Sequence, residues 1–124
     1  MATIAEIITQ VDALKPNQFT AIQKIQWLSE CESMVHVDVI ARHAGNTGVF
    51  PGFDETVDPD TILSAQAPHD ALYRHYLTAQ IDLANQELLR YNNSSQLFNN
   101  AYQAFKAWYT RNHMPAAEVD HFTI

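Results

Sequence analysis

The chain has 124 residues, 47% of them hydrophobic, which is enough for one ordinary hydrophobic core and too little for two. With 14 acidic against 7 basic residues the net charge is -7, and without a cluster of lysine or arginine this argues against tight nucleic-acid binding. Because the chain also lacks the roughly 20 apolar residues of a membrane span and the pattern of a secretory signal, we expect one soluble domain over 1–124, made in a cytoplasm.

Two helices are predicted in the first third of the chain. Apolar residues recur at helical spacing and stop before Pro16, which predicts a first helix over 3–14. Thr20 is suited to cap a helix, and Gln23 completes a capping-box pattern with it. A wide apolar stripe follows, so the pattern predicts a second helix over 20–42.

A long irregular loop is predicted between helices two and three, over 44–67. All 3 glycines of the chain lie there with a cluster of Asp, Thr and Pro residues, and neither a helical nor a strand period persists. Loops of this length in compact domains are usually functional or mobile. The loop is therefore a candidate contact segment.

Two further helices are predicted after the loop. Pro68 suits the first turn of a helix, and apolar residues then continue at steps of three and four, which predicts a third helix over 68–91. The polar run "NNSS" at 92–95 is interpreted as a hinge that ends this helix and caps the next. An aromatic stripe predicts a fourth helix over 94–112, and the tail 114–124 has no period and is expected to be loose.

These elements together predict the fold class. Every strong period in the chain is helical, so we expect an all-α fold without a substantial sheet. The short spacing between the third and fourth helices favours antiparallel neighbours. The prediction is an antiparallel bundle of about four helices with the long irregular loop between helices two and three.

One group of residues has the composition of a metal site. Glu32, His36 and His43 can share one face of the second helix. The helical metal patterns with real specificity are Glu-x-x-His repeated on two helices, or His-Glu-x-x-His, and neither occurs here. We therefore interpret these side chains as solvated or internally paired, and predict neither a metal nor a cofactor.

Catalytic patterns are equally weak. His69, Asp70, Arg74 and His75 open the third helix, where Asp70 complements the helix dipole and can pair with Arg74. Cys31 lies among apolar residues in the middle of the second helix, where a thiol stays protonated. No nucleophile elbow and no phosphate loop is present in the sequence. The residues therefore predict that this protein is not an enzyme.

Three stretches of the chain resemble a known family of proteins. They are "IITQVDALKPNQFTAIQKIQWLSECE" at 7–32, "APHDALYRHYLTAQIDLANQELLRYNN" at 67–93 and "FNNAYQAFKAWYTRNH" at 98–113. Together they resemble small bacteriophage and prophage proteins encoded in head and tail morphogenesis regions, similar to the head-tail connector, or adaptor, proteins of long-tailed phages. The resemblance covers most of the chain outside 44–66 and the final tail.

The resemblance implies a structural role in the virion. A subunit of this kind joins copies of itself in a ring below the portal protein, extends the DNA channel and receives a tail-proximal stopper or completion protein. Its place is the head-tail junction of the virion, after assembly in the host cytoplasm. The acidic net charge agrees with this, because DNA can slide through such a channel without sequence-specific binding.

Seven residues are candidates for subunit or partner contacts. Apolar residues lie beside the main apolar rows of helices three and four, and one small bundle cannot bury them all. We expect a head-to-tail contact that closes a ring, with the loop ordering against a neighbouring copy. The candidates are Val49, Phe50, Phe53, Leu72, Tyr76, Leu83 and Leu97.

Two alternatives stay open at this point. The first is a small helical prophage accessory or regulatory protein that binds a protein partner as a monomer or dimer. The second, ranked third overall, is a metal-dependent helical enzyme. The loop distinguishes the virion assembly protein from the accessory or regulatory protein, because an assembly subunit needs extra contact surface and a minimal bundle does not.

Overall fold

The fold is an antiparallel bundle of four helices. The computed structural model describes residues 2–42 and 50–112. Within these ranges the chain forms no β-strand, only an isolated bridge between Thr3 and Ile62, and this confirms the predicted all-α fold. The helices are α1 (Ile4–Leu14), α2 (Ala21–Asp38), α3 (Ala71–Ala84) and α4 (Leu88–Asn112), and a short 3-10 turn at Ile40–Arg42 follows α2.

The helices alternate in direction around a central α3, which packs against each of the other three. Lys24, at the start of α2, donates to Asp12, near the end of α1, at 2.7 Å, so these two helices are antiparallel. Tyr73 near the start of α3 contacts Glu32 in the second half of α2, so α2 and α3 are antiparallel as well. We call the end with the α3–α4 connection the hairpin end, and the end where α2 finishes and α3 begins the loop end.

Side-chain caps start the first two helices. The Thr3 hydroxyl accepts from the Glu6 amide at 3.2 Å, and the Thr20 hydroxyl accepts from the Gln23 amide at 3.1 Å. Each cap satisfies an amide that has no partner within its helix. The predicted cap at Thr20 is confirmed.

The predicted boundary between helices three and four is wrong. The chain does not continue as a helix to residue 91, because α3 ends at Ala84 and Gln86 takes a positive φ of 60° in the connection. The "NNSS" run at 92–95 then lies inside α4 and makes no hinge. Its polarity has a different reason: Ser94 is buried and its hydroxyl donates to Asp82 of α3 at 2.8 Å.

The start of α3 also differs from the prediction. Pro68 lies in a hydrogen-bonded turn before the helix, which begins only at Ala71. The predicted pair between Asp70 and Arg74 is replaced by a contact between helices, in which the Arg74 guanidinium donates to the Gln10 side chain of α1 at 3.1 Å. Tertiary contact therefore takes precedence over the local ion pair.

The second half of the loop belongs to the hydrophobic core. The Leu63 amide donates to the Ala2 carbonyl at 3.0 Å, and the side chains of Leu63 and Ala65 are buried. The expectation that the whole loop orders only against a neighbouring copy is therefore wrong for this part. The remaining core comes mainly from Ile4, Ile7, Val11, Leu28, Cys31, Val35, Val39, Leu72, Tyr73, Leu77, Ile81, Phe98, Tyr102 and Phe105.

Truncating the core is expected to destabilise the protein strongly. Leu77→Ala or Phe105→Ala should each lower the free energy of unfolding by about 2 to 5 kcal/mol, because truncation of a fully buried side chain leaves a cavity. Urea denaturation followed by circular dichroism measures this change. The control Leu97→Ala, at a side chain 51% exposed, should stay within about 0.5 kcal/mol. If the free energy of unfolding hardly changed for either core variant, the helix faces assigned to the core would be wrong.

Candidate functional site

The structure separates the predicted contact residues into three groups. Leu72 is fully buried in the core, so its prediction as an exposed contact residue is wrong. The reason is that α3 packs against the other three helices, which buries Leu72 beside the main apolar row of α3. Leu83 and Leu97 are exposed by 43% and 51%, whereas Tyr76 is half-buried. Val49 lies outside the described residues.

Phe50 and Phe53 lie against the outer face of α2. The Phe50 ring stacks on His36 with 4.8 Å between centroids, and the Phe53 amide donates to the Ser29 hydroxyl at 2.9 Å. Between them Gly52 has a φ of 89°, in the left-handed region that favours glycine. This segment of the loop is therefore held against α2 of the same chain by specific contacts.

A groove runs between α2 and the loop segment 50–56, and we call it the α2 groove. It consists of two adjoining clefts of about 400 and 600 Å³ that share Gln26 and Phe53. Its α2 side is lined by Ile22, Ile25, Gln26, Ser29, Glu30 and Ser33, and its loop side by residues 50–56.

The chemistry of the α2 groove is an apolar floor with an acidic rim. Ile22 is 55% exposed and Phe53 is half-buried, so apolar surface faces the groove. Glu30, Asp54 and Glu55 also line it, and no Lys or Arg does. Hydrogen bonds from the Thr56 hydroxyl and amide hold the pKa of Asp54 below its usual range, so this carboxylate stays charged.

A buried carboxylate fixes the rest of the loop. Glu32 is 2% exposed, and its Oε2 accepts from the Ser64 amide at 2.9 Å and from the Ser64 hydroxyl at 3.1 Å. Its Oε1 accepts from the Tyr73 hydroxyl at 2.7 Å, and the Tyr73 oxygen accepts from the Ala65 amide at 2.9 Å. One charge on α2 thus joins the loop and α3 in a single network, which we call the Glu32 network.

The Glu32 network also places a serine next to a histidine. His36 Nε2 lies 3.1 Å from the Ser64 hydroxyl, which is the separation of a nucleophile and its base. Glu32, however, contacts the serine and not the imidazole, so it does not orient a base as the acid of a catalytic triad does. The arrangement therefore has the geometry of a structural hydrogen-bond network.

The metal hypothesis gains no support from the same residues. Glu32 is fully engaged by Ser64 and Tyr73, and His43 lies outside the described residues. In the ranges 2–42 and 50–112, no group of three or more His, Cys, Asp and Glu side chains could hold a metal ion. Burial raises the pKa of the Cys31 thiol well above its ordinary value, so this thiol is protonated and a poor ligand or nucleophile.

A second buried carboxylate joins three helices at the hairpin end. Asp82 is 1% exposed and forms an ion pair with Lys15 at the end of α1. The other carboxylate oxygen accepts from Ser94 of α4. Four exposed leucines lie at the ends of α1, α3 and α4, close in sequence to the residues of this network. They are Leu14, Leu83, Leu88 and Leu89, with exposures of 78%, 43%, 63% and 83%.

Helix α4 has an unusual surface. Its buried residues form one narrow row, Ser94, Phe98, Tyr102 and Phe105. The rest of the helix is rich in Asn and Gln and carries three basic residues but no acidic one. It is long but polar, and none of the described helices combines the length and apolarity needed to cross a membrane.

Sequence reasoning did not identify most of the α2 groove. Phe50 and Phe53 were predicted, but Ile22, Asp54 and Glu55 were not. The sequence does contain a sign of this groove. Ile22 is an apolar residue beside the main stripe of α2, and two acidic residues directly follow Phe53. Their proximity depends on how the loop folds back, which the local pattern does not show.

Comparison with protein-family models, with curated proteins and with solved structures found no match to this chain.

Removing one hydroxyl should show how strongly the loop is held. Tyr73→Phe leaves the buried Ala65 amide without its acceptor and Glu32 Oε1 without its donor, so the free energy of unfolding should fall by about 1 to 3 kcal/mol. The matched control Tyr76→Phe removes a hydroxyl that donates to exposed Glu30, and should cost about 0.5 kcal/mol or less. Equal costs for the two variants in urea denaturation would contradict the account of the loop.

Proposed function

We propose that this protein is a non-enzymatic virion assembly protein, a head-tail connector of a long-tailed phage. In this role it binds the portal protein, joins copies of itself in a ring and receives a tail-proximal stopper or completion protein. It extends the DNA channel at the head-tail junction of the virion, and it is present in the host cytoplasm during assembly. The proposal combines the resemblance of three stretches of sequence with the surface of the bundle.

The observation that carries the proposal is the apolar hairpin end. Of the 9 large hydrophobic side chains that are exposed among the described residues, five belong to helix ends located there. They are Leu14, Ile22, Leu83, Leu88 and Leu89. A gathering of exposed apolar residues rimmed by charge is typical of a protein contact. The ion pair between Lys15 and Asp82 joins the end of α1 to the end of α3, so these two helix ends are already placed together when a partner binds.

A connector subunit also needs a contact that differs from its portal contact. The α2 groove supplies a second surface, because it lies along the side of α2, between this helix and the loop segment 50–56. These two contact surfaces, which adjoin at Ile22, suit a subunit that binds both its neighbours and the portal. A net charge of -7 further disfavours adhesion of DNA within the channel.

One observation favours the alternative, a small helical prophage accessory or regulatory protein. The α2 groove exists in the isolated chain, so it could take a segment of a different protein without any ring. The two functions differ in their partner. A regulator binds a soluble protein and has no affinity for the portal vertex.

The test uses tail-less, portal-bearing capsids of the phage that encodes this chain. Purified protein is mixed with these capsids and with portal-free capsids, and binding is measured by co-sedimentation and electron microscopy. We expect binding at the portal vertex only. The paired substitution Leu88→Asp and Leu89→Asp should weaken it about tenfold or more, since a charge placed in an apolar contact is desolvated.

The control for this experiment is Val37→Asp, at a side chain 62% exposed near the opposite end of α2. Its binding should equal that of the wild type, and circular dichroism should show all variants folded. Absence of the wild type from the portal vertex would refute the connector function. Equal binding by the hairpin-end variant would refute the assignment of that end.

A further inference from the structure

We propose that the α2 groove receives helix α4 of a second copy of this chain, in a head-to-tail contact. The inference rests on the proposed function, because a ring requires a contact between copies, and it names the two surfaces that make the contact. Three features of the molecule support it: a second stripe on α4, the position of that stripe on the subunit, and the charges of the two surfaces.

Helix α4 carries a second stripe beside its buried row. Leu97, Ala101, Ala104, Trp108 and Arg111 follow one another at steps of four, three, four and three residues, so they share one face of the helix. Leu97 is 51% and Trp108 39% exposed. Ala101 packs partly against the core of its own chain and the Trp108 ring contacts His69, so the accessible part of the stripe is Leu97, Ala104 and the exposed part of Trp108. We call the whole set the α4 stripe.

The α4 stripe has the form of a helix that binds in a groove. Such helices present anchors at three- and four-residue steps. From Leu97 to Arg111 the stripe rises roughly 21 Å, and the α2 side of the groove from Ile22 to Ser33 rises roughly 17 Å, at about 1.5 Å per residue. Ser29 and Ser33 have small side chains and Gln26 has a flexible one, so these residues leave space within the groove. The cleft beside Ile22 measures about 400 Å³.

The two surfaces cannot meet within one subunit. The Tyr102 hydroxyl donates to the Met34 carbonyl at 3.3 Å and to Asp38 at 3.2 Å, so this side of α4 faces α2. At 100° per residue the α4 stripe lies roughly 100 to 180° around the helix from Tyr102, on the flank turned away from α2. A contact between the stripe and the groove therefore joins two copies by different surfaces, which is the kind of contact that closes a ring.

The charges of the two surfaces are complementary. The described loop segment 50–66 carries four acidic residues and no basic one, whereas α4 carries no acidic residue and has Arg111 on the stripe. Glu55 lines the groove and Arg111 ends the stripe, and among the described residues neither forms an ion pair within its own chain. Opposite charges around an apolar contact favour this pairing over contacts between like surfaces.

The experiment exchanges the charges of the two surfaces. The groove variant carries Asp54→Lys and Glu55→Lys, and the stripe variant carries Arg111→Glu. Each variant alone presents two surfaces of like sign, so self-association in sedimentation velocity should fall about tenfold or more below wild type. A mixture of the two variants restores opposite charges at every contact, and it should associate nearly as well as wild type.

A matched control is available on α4 itself. Lys106→Glu makes the same change of charge as Arg111→Glu, but Lys106 lies on the other flank of the helix, roughly 140° from Arg111. This variant should associate as the wild type does. Circular dichroism and urea denaturation should show that all variants are folded, so a loss of association reflects the contact.

Three results would overturn the inference. They are a wild type that stays monomeric at low salt up to millimolar concentration, a mixture that stays as weak as its components, and a Lys106→Glu variant that is as weak as Arg111→Glu. Because these measurements use the purified chain alone, they are separable from the portal experiment. Binding at the portal vertex with a failed charge exchange would leave the connector function standing and remove only this contact.

Discussion

The structure depends on one buried charge, the carboxylate of Glu32. No lysine or arginine side chain pairs with it in the described part of the chain, so hydrogen bonds alone must replace the water it loses on folding. Those bonds come from Ser64 and Tyr73, which belong to the loop and to α3. An unsatisfied buried charge is costly, so the folded bundle is stable only when the loop returns to α2.

Several features of the surface follow from that return. With Ser64 held, Leu63 and Ala65 enter the core, and the earlier part of the loop lies along α2, where Phe53 contacts Ser29. The α2 groove is thus formed before any partner binds, which reduces the entropy cost of binding. The hairpin end is fixed in a similar way by Asp82, so the α2 groove and the hairpin end both rest on buried carboxylates.

The sequence predicts the helices well and their connections poorly, and the difference has a physical cause. Helical periods and the cap at Thr20 are local signals, and the structure follows them. The "NNSS" run resembles the end of a helix because Asn and Ser favour turns. Ser94 instead donates a hydrogen bond to Asp82 on another helix. Leu72 is misjudged for a related reason, since its burial depends on three helices surrounding α3. The residues of the α2 groove are brought together by the same long-range contacts, so only Phe50 and Phe53 were predicted.

The most direct test of this account is native-state hydrogen exchange at the amides of Ser64 and Ala65. Both donate to acceptors in the Glu32 network, and both lie in a segment without regular secondary structure. If the network holds the loop, these two amides should exchange only through the opening that unfolds the bundle, with a protection free energy that falls with denaturant as the global value does. Exchange at the rate of an unprotected loop would contradict the account, because Glu32 would then not hold the loop in place.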